Sequence, residues 1–144
     1  MTDETPTLEP IIEIISLLIA KMETQAIGPD QFAELSMRQV YYLETILRME
    51  SPTFGDVAQK LEVTKPSVTA IVEKLIQKGF VKKVQSQGDR RTYHIIPTAK
   101  AAEFSQLHEK THQQMAQLFT QSLNEPELQQ LAGLLQKVIQ NKDE

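Results

Sequence analysis

The hydrophobic period of this chain changes once, and that change restricts what it can fold into. Over most of the sequence the apolar residues recur at helical spacing; in one central stretch they do not. Val68, Ile71, Val72 and Leu75 form an i, i+3, i+4, i+7 stripe. Thr64 stands before it as a cap, Pro66 is tolerated in its first turn, and Gly79 ends it. Phe80–Gln85 and Thr92–Ile96 follow as β-prone runs, separated by Ser86-Gln87-Gly88-Asp89-Arg90-Arg91. Two such runs around a polar, Gly-containing turn read as a β-hairpin. The expected class is mainly α with one small hairpin.

The other elements read as helices on both sides of this unit. Thr53 caps a short helix with Val57, Ala58 and Leu61 as its apolar face, and Glu62-Val63 makes the turn into the capped helix. Ser36 starts an earlier helix that buries Val40, Leu43, Ile46 and Leu47. Gln39, three residues on, gives a capping-box spacing, and Ser51-Pro52 stops it. Segment 9–26 carries Ile11, Ile12, Ile14, Ile15, Leu18, Ile19 and Met22, with Leu17 widening the stripe, and Gly28-Pro29 ends it. So wide an apolar face needs more than one neighbour. Downstream, Pro97-Thr98 opens a long helix to about Gln121, striped by Phe104, Leu107, His108, Thr111, Met115, Leu118 and Phe119. Asn124 caps the last helix with Glu127 three residues on; Leu128, Leu131, Leu134, Leu135, Val138 and Ile139 line its inner face.

Composition narrows the function. The 144 residues suit one domain with a substantial core. No apolar run approaches the ~20 residues that span a bilayer, so no membrane partner is expected. The acidic start (Met1-Thr2-Asp3-Glu4) differs from the basic start of a signal peptide, and a cytoplasmic setting is expected. With no cysteine there is no disulfide, thiolate metal site or thiol redox sensor. The net charge of −4 argues at first against nucleic acid. Its distribution reverses that: residues 36–97 hold ten Lys/Arg against six Asp/Glu (net +4), and the rest holds five against thirteen (net −8). A basic module between acidic flanks is one reading; solvated acidic helices at the ends are the other.

Helix, short helix, tight turn, capped helix and hairpin, in that order, fit a winged helix-turn-helix. A helix that reads base edges in the major groove keeps one apolar face for its own domain and offers small or polar residues on the other. With Val68, Ile71, Val72 and Leu75 inward, Pro66, Ala70, Glu73 and Gln77 point outward, flanked by Ser67, Thr69 and Lys74. Lys65 sits at the N-terminal end, where phosphates also meet the helix dipole. An ordinary amphipathic surface helix would look the same in isolation. The hairpin tip adds Gly88-Asp89-Arg90-Arg91, with two guanidinium groups suited to a narrow minor groove. Asp89 fits such a tip if it pairs with a neighbouring Arg and directs it. Lys82 and Lys83 add sequence-independent phosphate attraction. Glu73 could accept from a cytosine amino group, pair with Lys74 or Lys78, or lie beyond any contact.

Residues 61–101, LEVTKPSVTAIVEKLIQKGFVKKVQSQGDRRTYHIIPTAKA, resemble the heart of the MarR family of transcription regulators. The likeness rests on the capped helix ending in LIQKGFV, the wing GDRR and the exit IIPTAKA; the specific motif covers about residues 53–102. It implies a homodimer whose terminal helices interdigitate, each subunit offering one winged helix to a pseudopalindrome in double-stranded DNA. Residues 36–97 would then be the DNA-binding region, and 1–35 with 98–144 the helical dimerisation region. The resemblance carries base reading to Lys65, Ser67, Thr69 and Ala70, and the wing element to Asp89 with Arg90 or Arg91.

The same resemblance implies a small-molecule effector, an aromatic or lipophilic anion, bound between the dimer helices and the winged module. Met22, Tyr41, Tyr42 and His108 are the lining candidates, with core packing as the alternative for the two tyrosines. Some members bind metals or use a reactive cysteine; the second class is excluded here. His108 and His112 have an acceptable metal-ligand spacing around Glu109, yet His108 falls on the apolar stripe and the sequence places no third ligand. No metal site and no cofactor are expected. His94 reads as structural or as a phosphate contact. A helical adaptor that uses the same unit for protein contact is the alternative from another class. Catalysis is not expected, because no phosphate-binding glycine loop, nucleophile motif or zinc-hydrolase motif occurs.

Overall fold

The computed structural model describes residues 7–28 and 34–142. The order is α1 (Leu8–Ile27), α2 (Met37–Arg48), α3 (Phe54–Leu61), α4 (Lys65–Gln77), β1 (Val81–Gln85), β2 (Tyr93–Pro97), α5 (Ala99–Ser122) and α6 (Glu125–Gln140). Four of the helices begin at polar caps expected from sequence. Ser36, Thr53, Thr64 and Asn124 each accept from the backbone N–H three residues on. Ser36, Thr53 and Asn124 complete reciprocal capping boxes with Gln39, Asp56 and Glu127. Gly28 ends α1; Pro29, the other half of the expected stop, and the acidic start lie outside the described residues.

The helix-turn-helix is α3 packed on α4, with α2 behind α4. The turn between α3 and α4 passes through Glu62, whose φ of 55° is left-handed. Leu43, Ile46, Val57, Val68, Val72, Leu75, Phe80 and Ile95 are almost wholly buried around this unit. The core continues into the flanking helices through Ile27, Ala101 and Phe104, and the Phe80 and Phe104 rings meet edge to face, with centroids 5.9 Å apart. Two strands alone are marginal in water, and this hairpin is tied to the helices at its base. It pairs antiparallel from Val81↔Pro97 to Gln85↔Tyr93. Ile95 N–H donates to Pro52 O at 2.8 Å, Thr53 bridges to His94, and His94 Nδ1 lies 2.6 Å from Ser51 O. Of the two readings of His94, the structure supports the structural one.

Between α4 and the hairpin, Gly79 has a φ of 81°. A Cβ there would meet nothing closer than the Lys100 side chain at 3.9 Å, so the backbone conformation, rather than crowding, calls for glycine. Thr98 stands at the start of α5 but does not cap it. Its hydroxyl donates back to Gly79 O at 2.6 Å and to Phe80 O at 3.0 Å. The end of α4, the base of the hairpin and the start of α5 are thereby one clamped joint.

The outer helices are differently built. α1 runs along α5, with Ile15 and Leu18 beside Met115, Leu118 and Phe119. Only Glu23 and Ile27 of α1 are buried, and no residue of α6 is. No helix among the described residues is long and apolar enough to cross a membrane.

Candidate nucleic-acid interface

The first turn of α4 and the hairpin tip come together. Lys65 and Thr69 of α4 share a cleft with Arg91, Thr92 and Tyr93 of the hairpin and with Thr53, Phe54 and Gly55 at the start of α3. Lys65, Pro66, Thr69, Ala70 and Lys74 are exposed, and Ser67 is half-buried. Local hydrogen bonds preset the polar ones. The Ser67 hydroxyl lies 2.8 Å from that of the cap Thr64, and the Thr69 hydroxyl donates to Lys65 O at 3.0 Å. Gly55 is a residue the sequence reading missed. A Cβ there would stand 3.3 Å from Cε of Lys65, so a side chain at this position would press on the lysine. Tyr93 was missed too; its ring lies under the Lys83 ammonium at 5.6 Å.

The wing differs from expectation at Asp89. Its carboxylate does not hold an Arg side chain. Oδ1 accepts from the backbone N–H of Arg91 at 2.9 Å, and Oδ2 accepts from the Thr92 hydroxyl at 3.4 Å. The reason is local: an Asp in a tight turn reaches the N–H two residues on without ordering a long side chain. Asp89 therefore shapes the turn, and the guanidinium groups of Arg90 and Arg91 stay exposed. Arg91 lines the cleft with α4, while the carbonyl of Arg90 accepts from Gln85 Nε2 at 2.7 Å.

Glu73 also takes another partner. It pairs with Lys83 of β1 at 3.3 Å, not with Lys74 or Lys78, because β1 passes beside α4. Lys78 instead donates to Gln39 Oε1 at 2.9 Å and to Glu34 O. Lys65, Lys74, Lys82, Arg90 and Arg91 make no salt bridge among the described residues. At the back of the cleft, Thr53 and Asp56 cap α3 reciprocally. The backbone N–H of Thr53 and then its hydroxyl hold the Asp56 carboxyl below the usual carboxylate range.

Of the four expected ligand-lining residues, Tyr41 and His108 line different clefts. Tyr42 is buried in the core, whereas Tyr41 beside it is 62% exposed. Adjacent helix residues point ~100° apart, so one of the two faces solvent. Core packing thus accounts for Tyr42 and not for Tyr41. Tyr41 lines a cleft with Thr45, Arg48, Met49, Lys60 and Leu61; His108 lines another with Glu44, Leu47, Ser105 and His112. Met22 is half-buried and lines neither. The third partner that the sequence did not place beside His108 and His112 is Glu23 of α1.

Residues 35–93 match the model of the MarR family. Over 72 residues the chain is 36% identical to the HTH-type transcriptional regulator PapX of Escherichia coli, covering 46% of this chain and 43% of that protein. Over 89 residues it is 27% identical to the HTH-type transcriptional regulator PchR of Bacillus subtilis, covering 62% and 53%. The chain thus spans about half the length of the curated relatives it matches. Its fold is similar to that of Streptococcus pneumoniae FabT, solved in complex with DNA, with a TM-score of 0.79 and 24% identity over 94% of each chain.

Proposed function

We propose that this chain, which belongs to the MarR family of winged helix-turn-helix transcriptional regulators, is a ligand-responsive repressor that binds pseudopalindromic operators as a homodimer. The observation that carries the reading is the cleft shared by Lys65 and Thr69 of α4 with Arg91 of the hairpin. Small and hydroxyl-bearing residues on an exposed helix face suit base edges, and a flexible cation at the ribbon tip suits a minor groove or phosphate. The cations around them, which make no salt bridge among the described residues, supply the salt-sensitive attraction of a duplex binder. FabT, whose fold this chain resembles, was solved with DNA bound, and the family is one of transcription regulators, not enzymes.

The apolar surface that one copy leaves exposed on α1 and α6 supports the dimer. Two winged units held about one helical turn, ~34 Å, apart read two half-sites. The clamped joint at Thr98 makes the reading unit follow α5. An aromatic or lipophilic anion that binds one arrangement of the helices better than the other would then change operator affinity. A tenfold change needs ~1.4 kcal/mol of such coupling.

The test is selection of bound DNA from a genomic library, followed by in vitro transcription from a promoter carrying the selected site. The expected result is a two-fold-related motif, repression, and relief by an aromatic carboxylate. Thr69→Ala should change the bases preferred rather than weaken all sequences equally. Recovery of no sequence above random would overturn the proposal and leave a protein-contact module as the better account.

A further inference from the structure

Two adjacent lysines of β1 have different surroundings. Successive side chains of a strand point to opposite faces, so Lys82 and Lys83 leave the hairpin on opposite sides. Lys83 shares its face with the buried Val81 and stands opposite the buried Ile95, on the side turned toward the core. Its ammonium takes two partners there. It lies 3.3 Å from Glu73 Oε1 on α4 and 5.6 Å from the centre of the Tyr93 ring on β2. The register explains the second contact: Tyr93, two residues before Ile95, is the diagonal cross-strand neighbour of Lys83. A cation within ~6 Å of a ring face is drawn to it. Tyr93 in turn lines the cleft with Lys65, Thr69 and Arg91. One side chain thereby links the middle of α4 to both strands of the wing.

We propose that Lys83 is a positioning residue, which holds the wing at a fixed angle to α4 through Glu73 and Tyr93 instead of binding a phosphate. The inference rests on the DNA-binding reading above. The backbone ties of the hairpin to the turn after α2 are at His94 and Ile95, near its base. They leave the direction of the tip to side chains, and Lys83 supplies the link to α4 itself. A helix in one groove and a ribbon tip in the next must keep their relative angle for both to engage. The pair is about half exposed, with side chains 47% and 44% accessible. Such a pair adds little to global stability, so its effect falls on the wing angle and not on folding.

The experiment removes both charges at once. Glu73→Gln with Lys83→Met leaves the net charge of the chain unchanged. It is compared with the parent by selection of bound duplexes from a random library and by titration of the parent's selected site across salt. The expected result is broader selection at the base pairs flanking those read by α4, and affinity lower by about tenfold, the cost of one mismatched pair. The slope of log affinity against log salt and the melting temperature should stay at the parent's values. The swap of Glu73→Lys with Lys83→Glu should restore the flanking selection, which a role in holding phosphate would not allow. In the DNA-free chain, the Tyr93 ring current should move the Lys83 methylene protons upfield, and Tyr93→Leu should abolish that shift. A slope lowered by ~0.9 in the neutral pair variant, the mark of one lost phosphate contact, overturns the proposal. So does unchanged selection, or a parent without the ring-current shift. A parent that shows the shift and selects no DNA sequence overturns the DNA-binding function itself, and the positioning role falls with it.

Discussion

Leu135 lies on α6 with 52% of its surface exposed, in a row with Leu134, Val138 and Ile139 at 56%, 68% and 64%. Ile12, Ile14 and Leu17 of α1 stand out at 59%, 64% and 65%. A second copy is the cover proposed for these faces, and Leu135→Asp tests it. Fully burying a leucine is worth ~1.5–3 kcal/mol, so covering the exposed half of Leu135 contributes about 1 kcal/mol. A two-fold axis counts the loss twice, about 2 kcal/mol. The buried carboxylate adds a few kcal/mol of desolvation, for a total of about 5 kcal/mol. At 1.4 kcal/mol per decade this raises the dimer dissociation constant by roughly 10³–10⁴. Sedimentation equilibrium across nanomolar to micromolar concentrations reads that change directly. Since Leu135 is half exposed and stands outside the buried core cluster, the substitution should leave the protomer's helical content intact. Ile15 is a poorer probe, because it packs against α5 within one chain. A parent chain that sediments as a monomer at micromolar concentration, or a Leu135→Asp variant that dimerises like the parent, would refute the reasoning.

Replacing Arg90 and Arg91 with Ala should reduce DNA affinity and lower the slope of log affinity against log salt by up to about 2, with the melting temperature unchanged because both side chains are exposed; an unaltered slope would remove the wing from the interface. Thr53→Ala should cost about 1 kcal/mol in urea unfolding, since it removes the acceptor for Asp56 N–H, and a neutral result would mean that water replaces the cap. Asp56→Asn should be destabilising at pH 7, with the gap to the parent closing in acid. The folded carboxyl titrates below its ordinary value, so its stabilisation is complete above the unfolded pKa of ~3.9 and is lost as pH falls through the lowered one. A gap that stayed constant down to pH 2 would deny Asp56 that role.

The sequence by itself determined what depends on near neighbours. Helix starts at Ser36, Thr53, Thr64 and Asn124 were legible because a cap and its N–H lie three residues apart. The hairpin was legible because its runs and polar turn are contiguous, and the face of α4 because a 3.6-residue period separates Val68, Ile71, Val72 and Leu75 from Thr69 and Ala70. A period states that a face is apolar and not what covers it. Packing alone decided that Arg91 joins Lys65 and Thr69 in one cleft, that β1 brings Lys83 to Glu73, and that Tyr42 turns inward and Tyr41 out. The same holds for Glu23. On α1 it is one acid in an apolar stripe, and its meaning appears only when α5 lays His108 and His112 against it. Contacts between residues far apart in the chain follow from how helices cross, and the register of such a crossing is set by the whole core rather than by either segment.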